Sequence, residues 1–211
     1  MSRFSAWVFD LDNTLYPASD LYDEIGARMT AYIARAVGVD EVEALYLREK
    51  YFHDYGATIV GLVRHHGVDA RDFLADVHEA DHSVLVVDEE LRTLIERLPG
   101  KRIVFTNGGG GHPERVLATL GLASCFDGIF DIEAAHLAPK PQRESYERLI
   151  QAFDIDARRS ILIEDTLRNL EPAHALGFTT ALVGAVHPAP LPPYVNHHAE
   201  DLKALLRATF R

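Results

Sequence analysis

Short runs of β-branched and aromatic residues alternate along the chain with segments whose apolar positions recur every three or four residues. The runs predict strands at residues 6–10, 102–106, 128–131, 160–164 and 180–183. Helical patterns separate the later runs, and one of them ends where Gly177 supplies a helix stop. This alternation is typical of helices packed on a parallel sheet. We therefore predict an α/β fold, a doubly wound parallel sheet with a Rossmann-like core.

The stretch from residue 18 to residue 82 interrupts the alternation, because it lacks a convincing strand pattern. It is too long for a plain crossover between strands. Apolar residues at helical spacing, such as Ile59, Leu62 and Val63, predict consecutive helices instead. We expect a small helical cap domain over residues 18–82, inserted into a core domain formed by residues 1–17 and 83–211.

The composition is that of an ordinary globular protein. Of the 211 residues, 47% are hydrophobic and 25% are charged, which supports one full core with a modest second domain and excludes a disordered or fibrous chain. The formal net charge of -11 repels polyphosphate backbones, so we expect no nucleic-acid polymer as a partner. A small anion would need a local positive site.

Cysteine usage and the first apolar run bear on the cellular compartment. Cys125 is the single cysteine, which excludes an internal disulfide and a cysteine-based metal cluster and favours a cytoplasmic protein. The apolar run at residues 6–9 is followed at once by Asp10 and Asp12, so we expect neither a signal peptide nor a membrane partner. The sequence leaves the oligomeric state open.

Two acidic pairs stand at the ends of predicted strands. Asp10 and Asp12 close the first strand, where a period of two directs both side chains to one side, and Glu164 and Asp165 close another. A single Asp-x-Asp is more often a solvated strand end, but two pairs at equivalent ends favour a shared site. Like charges about 4 Å apart repel by roughly 4 kcal/mol at an effective dielectric constant of about 20. A divalent cation relieves this repulsion, and oxygen ligands favour Mg²⁺.

Residues suited to binding an anion lie between the two pairs. Thr106 and Asn107 end a strand and offer a hydroxyl, an amide and main-chain N–H groups beside a helix N-terminus. Lys140, held between two prolines, supplies positive charge. The run from Gly108 to Gly111 lacks the Gly-Lys-Ser/Thr of a nucleotide loop and the spacing of a dinucleotide fingerprint, so we interpret it as a flexible turn.

Four ordered motifs, taken together, resemble those of the haloacid dehalogenase-like hydrolases and extend over nearly the whole chain. They are Phe9-Asp10-Leu11-Asp12-Asn13-Thr14-Leu15-Tyr16, then Thr106-Asn107-Gly108, then Lys140-Pro141, then Glu164-Asp165 followed by Asn169. The segment at residues 51–62 further resembles the pyrimidine 5′-nucleotidase branch, whose helical cap is inserted after the first motif.

The resemblance implies a magnesium-dependent phosphomonoesterase that works through an aspartyl-phosphate. Asp10 would be the nucleophile and a metal ligand. Asp12 would be the general acid and then the general base, with its main-chain carbonyl also on the metal. A free aspartate has a pKa of about 3.9, so the surroundings of Asp12 would have to keep it protonated.

The same resemblance gives roles to the later motifs. Thr106 and Lys140 would hold the phosphoryl group, with Asn107 and Gly108 beside it. Asp165 would bind the metal directly, Glu164 would act on it through water, and Asn169 would orient the loop. Mg²⁺ is the expected cofactor, and a small phosphorylated metabolite is the expected partner.

The cap resemblance favours nucleoside 5′-monophosphates as substrates, with UMP and CMP ahead of purine nucleotides. Aromatic faces for a base and donors for its carbonyls would come from Tyr16, Tyr55, Arg48 and His53. Two other interpretations stay open: Tyr55 as a core residue of the cap, and Arg48 as a solvated helix residue.

Several other activities use a similar set of residues. A phosphatase of another ribose or sugar phosphate fits the same motifs, and so does a phosphomutase, which transfers the phosphoryl group to a second hydroxyl. A dehalogenase is disfavoured because its chemistry does not need Asp12 as a proton donor. A non-catalytic binding protein is the least expected, since Asp10, Asp12, Lys140 and Asp165 are all present.

Overall fold

The computed structural model describes residues 4–184 and 190–209, so residues 1–3, 185–189 and 210–211 of the predicted core domain lie outside it. In the described part, parallel strands form a six-stranded sheet in the order β3-β2-β1-β4-β5-β6. The strands are β1 (Ala6–Phe9), β2 (Lys101–Phe105), β3 (Gly128–Phe130), β4 (Ser160–Glu164), β5 (Thr179–Val183) and β6 (His197–Ala199). The predicted strand ends are correct to within one residue, and the doubly wound parallel sheet is confirmed.

The α-helices of the described chain fall into two groups, four that come first after β1 and a second group that begins with the helix leading into β2. The first group is α1 (Ser19–Ile33), continued by a π-helical turn (Ala34–Gly38), then α2 (Glu41–Tyr55), α3 (Thr58–His66) and α4 (Ala70–Val77). The second is α5 (Glu89–Glu96), α6 (His112–Thr119), α7 (Arg143–Phe153), α8 (Leu167–Ala175) and α9 (Leu202–Thr209). No helix in residues 4–184 and 190–209 is long and apolar enough to cross a membrane.

Alternate side chains of each central strand pack into different helical layers. In β1, Trp7 and Phe9 belong to one apolar cluster and Ala6 and Val8 to another. The first layer contains α5, α6 and α9, and the second contains α7 and α8. Because both faces are covered, the central strands carry continuous apolar runs, such as residues 6–9 and 161–163, which is the pattern that made them recognisable in the sequence.

The strand register brings the ends of β1 and β4 side by side. Phe9 is paired with Ile163, and the Asp10 amide donates to the Ile163 carbonyl at 2.9 Å. Asp10 therefore emerges beside Glu164, the last residue of β4. The chain winds in opposite directions on either side of β1, and parallel sheets place their sites at such a switch point.

The helices after β1 have an apolar cluster of their own. It includes Phe73 and Leu62 and recruits Ile132 from the loop after β3. Helix α1 joins both parts, because Leu21 packs with the sheet layer while Ile33 packs with the helices. The helices match the expectation for residues 18–82, and the exact boundary between cap and core stays a prediction.

The glycine run after β2 lets the helical insertion approach the core closely. Gly110 has a φ of +59°, and a Cβ there would lie 2.5 Å from the main-chain oxygen of Leu74 in α4. Both the backbone conformation and the space thus require glycine. Gly38 also has a positive φ, of +79°, but a Cβ there would meet nothing within 4 Å.

These two glycines allow strain and crowding to be separated. We expect Gly110→Ala to lower the free energy of unfolding by about 2–5 kcal/mol, because left-handed strain and overpacking add. Gly38→Ala should cost only the strain, about 1–2 kcal/mol. Urea unfolding of both variants measures the difference, and equal losses would refute close packing of Gly110 against α4.

Candidate active site

A cavity of about 600 Å³ opens at the carboxyl ends of the central strands, between the sheet and the helices that follow β1. It brings together residues from all four predicted motifs. These are Asp10, Asp12, Thr106, Asn107, Gly108, Lys140, Glu164, Asp165 and Asn169. The predicted convergence of strand ends on one site is therefore observed in the described chain.

Lys140 lies at the bottom of this cavity with only 2% of its surface exposed. Its ammonium donates to Asp10 Oδ1 at 2.6 Å, to Glu164 Oε1 at 2.8 Å and to the Phe105 carbonyl at 2.9 Å. Burial alone would lower the pKa of Lys140, but the two carboxylates outweigh it and raise the pKa above its ordinary value. The lysine is thus charged and fully hydrogen-bonded.

Glu164 is held from several sides. Besides Lys140, its Oε1 accepts a hydrogen bond from Asn169 Nδ2 at 2.6 Å, and its Oε2 accepts one from the Thr166 amide at 2.7 Å. Asn169 therefore fixes Glu164 directly, and Tyr146 donates to the Asn169 carbonyl at 2.7 Å.

Three carboxylates cluster at this point, and two of them contact the ammonium. Asp10, Glu164 and Asp165 each offer a ligand atom, and these atoms all lie within 4.8 Å of one another. Burial, together with the charge of Glu164, raises the pKa of Asp165 to about 7. Burial also raises the pKa of Asp10 well above its usual range, against the opposing charge of Lys140. The group has excess negative charge and only oxygen ligands, a donor set that suits a hard divalent cation.

Asp12 lies in different surroundings, although it is only two residues from Asp10. Its Oδ1 accepts hydrogen bonds from the Tyr16 hydroxyl and from His112 Nε2, the latter at 3.1 Å. Burial would raise the pKa of Asp12, but these hydrogen bonds and the neighbouring His112 lower it below its ordinary value. The expectation that the surroundings keep Asp12 protonated is therefore not met in this structure. Tyr16, expected near the substrate, instead contacts the carboxylate.

The sequence analysis did not identify three buried histidines beside Asp12. His112 contacts Asp12, His82 contacts His112, and His78 stacks on the same ring. The sequence carries only a weak signal, the i, i+4 spacing of His78 and His82, because His112 comes from a distant segment.

The second motif holds the lysine loop in place. Asn107 accepts from the Lys140 amide at 2.8 Å and donates to the Lys140 carbonyl at 3.0 Å, while the Gly108 amide donates to Thr106 Oγ1 at 2.9 Å. Gly56, which ends α2 with a φ of +86°, packs on the same loop. A Cβ on Gly56 would lie 2.7 Å from the Lys140 carbonyl oxygen.

The outer wall of the cavity is largely apolar and comes from the helical insertion. Ile25, Met29, Ile59 and Phe73 line it, and Arg48 stands among them. Arg48 Nη1 donates to the Gly26 carbonyl at 2.6 Å and to Thr30 Oγ1 at 3.1 Å, so it is not merely solvated.

Three predicted substrate residues, Tyr16, Tyr55 and His53, are not among the described residues that line the cavity. The Tyr55 hydroxyl lies 2.6 Å from His65 Nε2, and His53 is exposed beside Asp54. Phe52 of the same helix lines the cavity instead, and the Arg168 guanidinium lies 4.7 Å from its ring centre.

Similar proteins include phosphatases and dehalogenases. Phosphate metabolism protein 8 of Saccharomyces cerevisiae is 32% identical over 134 residues, 57% of this chain and 41% of that relative. The chain thus matches less than half of that relative's length. CbbY from Rhodobacter sphaeroides, solved with phosphate, has a TM-score of 0.67 at 17% identity, over 96% of each chain. The L-2-haloacid dehalogenase from Xanthobacter autotrophicus reaches 0.64 at 17% identity, over 98% of each chain. At such identities these two structures establish the fold alone.

The match to a family covers much more of the chain than the match to that relative. Residues 4–177 fit the sequence profile described as haloacid dehalogenase-like hydrolase. The resemblance of the four motifs to this family is thereby confirmed, whereas the pyrimidine 5′-nucleotidase branch stays a prediction. The chain belongs to the haloacid dehalogenase-like hydrolases.

Proposed function

We propose that this hydrolase is a magnesium-dependent phosphomonoesterase. Asp10 takes up the phosphoryl group, and the resulting aspartyl-phosphate is then hydrolysed. The observation that carries the proposal is the buried Lys140 ammonium between Asp10 and Glu164, beside Asp165. A phosphoryl group carries negative charge, and it approaches a carboxylate only where that charge is offset. This group of residues supplies one fixed positive charge and the ligands for a second.

Asp10, Glu164 and Asp165 would hold Mg²⁺, together with the main-chain carbonyl of Asp12. When bound, the ion offsets the charge of the phosphoryl oxygens. Lys140 neutralises part of the remaining charge and holds Asp10 Oδ1 at the cavity floor. Thr106 offers its hydroxyl from the neighbouring strand end, where it is buried within the cavity lining.

The reaction proceeds in two steps. An Asp10 carboxylate oxygen attacks phosphorus, the bond from phosphorus to the leaving oxygen breaks, and Asp12 gives that oxygen a proton. Water then attacks the aspartyl-phosphate, Asp12 takes a proton from it, and the bond from phosphorus to Asp10 breaks to release inorganic phosphate.

Formation of an aspartyl-phosphate predicts that one substitution at Asp10 abolishes turnover. Asp10→Asn should abolish Mg²⁺-dependent phosphate release while leaving the fold intact, because an amide is a poor nucleophile and cannot form an aspartyl-phosphate. Phosphate release and circular dichroism measure both. Asp23→Asn, the same change at an exposed position of α1, is the control. Wild-type turnover by folded Asp10→Asn would refute the covalent mechanism.

The raised pKa of Asp165 predicts pH-dependent metal binding. Below its pKa of about 7, Asp165 is neutral and a bound proton must leave before the metal binds. Mg²⁺ affinity should therefore fall as pH drops from 8 to 6, by up to about tenfold per pH unit for one displaced proton. Calorimetric titration with MgCl₂ tests this. Asp165→Asn should bind weakly at both pH values, and a flat wild-type affinity would contradict the assignment.

We further propose nucleoside 5′-monophosphates as substrates, with UMP and CMP preferred. The support is the apolar outer wall, which includes Phe52 and Phe73, together with Arg48 in the same wall. A base has a flat face that packs against such side chains, whereas a bare sugar has little to contribute there.

The ratio of kcat/KM values for UMP, AMP and ribose 5-phosphate tests this choice, because it measures differential transition-state binding. UMP should exceed both competitors. If ribose 5-phosphate matches UMP, the wall does not recognise a base, and the pyrimidine assignment fails while the phosphatase assignment survives. Halide release from 2-haloacids would favour the dehalogenase alternative, and phosphoryl transfer to a second sugar hydroxyl would favour a mutase.

A further inference from the structure

Three histidines from two distant stretches of chain meet beside Asp12, and two of them, His78 and His112, also line the cavity. His78 is the C-cap of α4, His82 lies in the short turn that follows, and His112 is the first residue of α6. Their exposed fractions are 4%, 9% and 1%. Burying imidazole rings costs free energy unless their nitrogens have partners, so the contacts of each nitrogen are informative.

His112 contacts a polar partner with each ring nitrogen. Nε2 lies 3.1 Å from Asp12 Oδ1, and Nδ1 lies 3.1 Å from His82 Nε2. The ring of His78 stacks on that of His112 with centres 4.7 Å apart and planes inclined by 20°. His112 therefore has one orientation that satisfies all its neighbours.

The partner of His82 Nδ1 determines which ring donates in the contact between His82 and His112. Burial and the nearby His112 lower the pKa of His82, against the opposing effect of a hydrogen bond to the backbone of Ala80. A neutral His82 that donates from Nδ1 to that carbonyl has a bare Nε2, which can only accept. His112 Nδ1 therefore donates to His82, and Nε2 must carry a hydrogen of its own to donate to Asp12 Oδ1.

His78 is held without adding charge to this group. Its Nδ1 lies 2.9 Å from the Leu74 carbonyl, to which it donates. Burial, followed by the neighbouring His112, lowers the pKa of His78 to about 3, so the stacked ring is neutral. His78 thus packs His112 against Asp12 and leaves its hydrogen bonds unchanged.

The two contacts on Asp12 fall on the same oxygen. Tyr16 and His112 both hydrogen-bond to Oδ1, whereas no residue in the described part of the chain hydrogen-bonds to Oδ2. Asp12 also lines the cavity. Holding Oδ1 from two directions fixes the rotation of the carboxyl group and leaves Oδ2 available to the substrate.

We propose that His112 is a positioning residue, which acts through Asp12 by holding Oδ1 so that Oδ2 meets the leaving-group oxygen, and that His82 fixes the ring of His112. This inference rests on the proposed phosphatase function. It assigns to His112, although this residue lines the cavity, a role through Asp12 rather than through the substrate or the metal.

Two amide substitutions separate the contact with Asp12 from simple packing. In His112→Gln the amide lies near the position of Nε2 and can still reach Asp12. In His112→Asn it lies near the position of Nδ1, where it can reach only His82. We expect His112→Asn to lower kcat for UMP by about 10–100-fold with KM changed less than about 3-fold, since misplacing a reacting group costs about this much. His112→Gln should stay within about 3-fold of wild type.

The leaving group provides a second kinetic measurement. In single-turnover experiments, His112→Asn should slow the first step less with p-nitrophenyl phosphate than with UMP, because nitrophenolate needs little help from an acid. Asp12→Asn sets the full size of the effect, and His197→Asn, at an exposed strand residue, is the control. Equal losses in the Gln and Asn variants, or equal losses for both substrates, would overturn the proposal.

A measurement on the folded protein without substrate covers the case in which His112→Asn does not fold. In ¹⁵N spectra of the histidine rings, we expect His112 to carry a proton on each ring nitrogen and its Nε2 signal to move in Asp12→Asn. A bare Nε2, or an Nε2 signal that does not change in Asp12→Asn, would overturn the proposal. If wild type released no phosphate from any substrate, the proposed function would fail, and these spectra would still decide whether His112 holds Asp12.

Discussion

The site depends on one buried lysine ammonium and its three acceptors. Lys140 is nearly inaccessible, and a charged group in such a place is stable only if every donor is paired. Its partners come from three adjacent strands: the Phe105 carbonyl from β2, Asp10 after β1 and Glu164 from β4. The strand order 3-2-1-4 brings these three ends together, so the sheet topology is what permits the lysine to be buried.

Two carboxylates separated by one residue acquire different environments from this arrangement. Asp10 lies on Lys140 and shares its cavity floor with Asp165, whereas Asp12 accepts from Tyr16 and His112. Their pKa values shift in opposite directions as a result. The proposed roles need the opposite pattern, an ionised Asp10 and a protonated Asp12, and a cation bound beside Asp10 would lower the pKa of Asp10.

The sequence predicted those features that follow from strand periodicity. The positions of the strand ends follow directly from the alternation of strand and helix patterns. The grouping of Asp10 with Glu164 follows as well, because a parallel sheet collects the carboxyl ends of its strands at one edge. The histidine group beside Asp12 did not follow, since His78 and His112 meet only through packing between the insertion and the core.

The orientation of α2 about its own axis explains which of the predicted substrate residues reach the cavity. Residues four apart on a helix share a face, so Arg48 and Phe52 both reach the cavity while Tyr51 and Tyr55 turn towards α3. A sequence shows which residues share a face but not which face meets the cavity. The prediction therefore named residues from both faces of α2.

The close approach of Gly56 to the Lys140 loop limits how freely the outer helices can be exchanged between relatives. A transplanted insertion that places any side chain at this point would push on the lysine loop, and through Asn107 on the end of β2. The outer helices can therefore vary while the residues around Lys140 stay unchanged only if glycine is kept at position 56. A chimera joined at this point would keep the lysine loop in place only if position 56 has a hydrogen atom where every other amino acid has a Cβ.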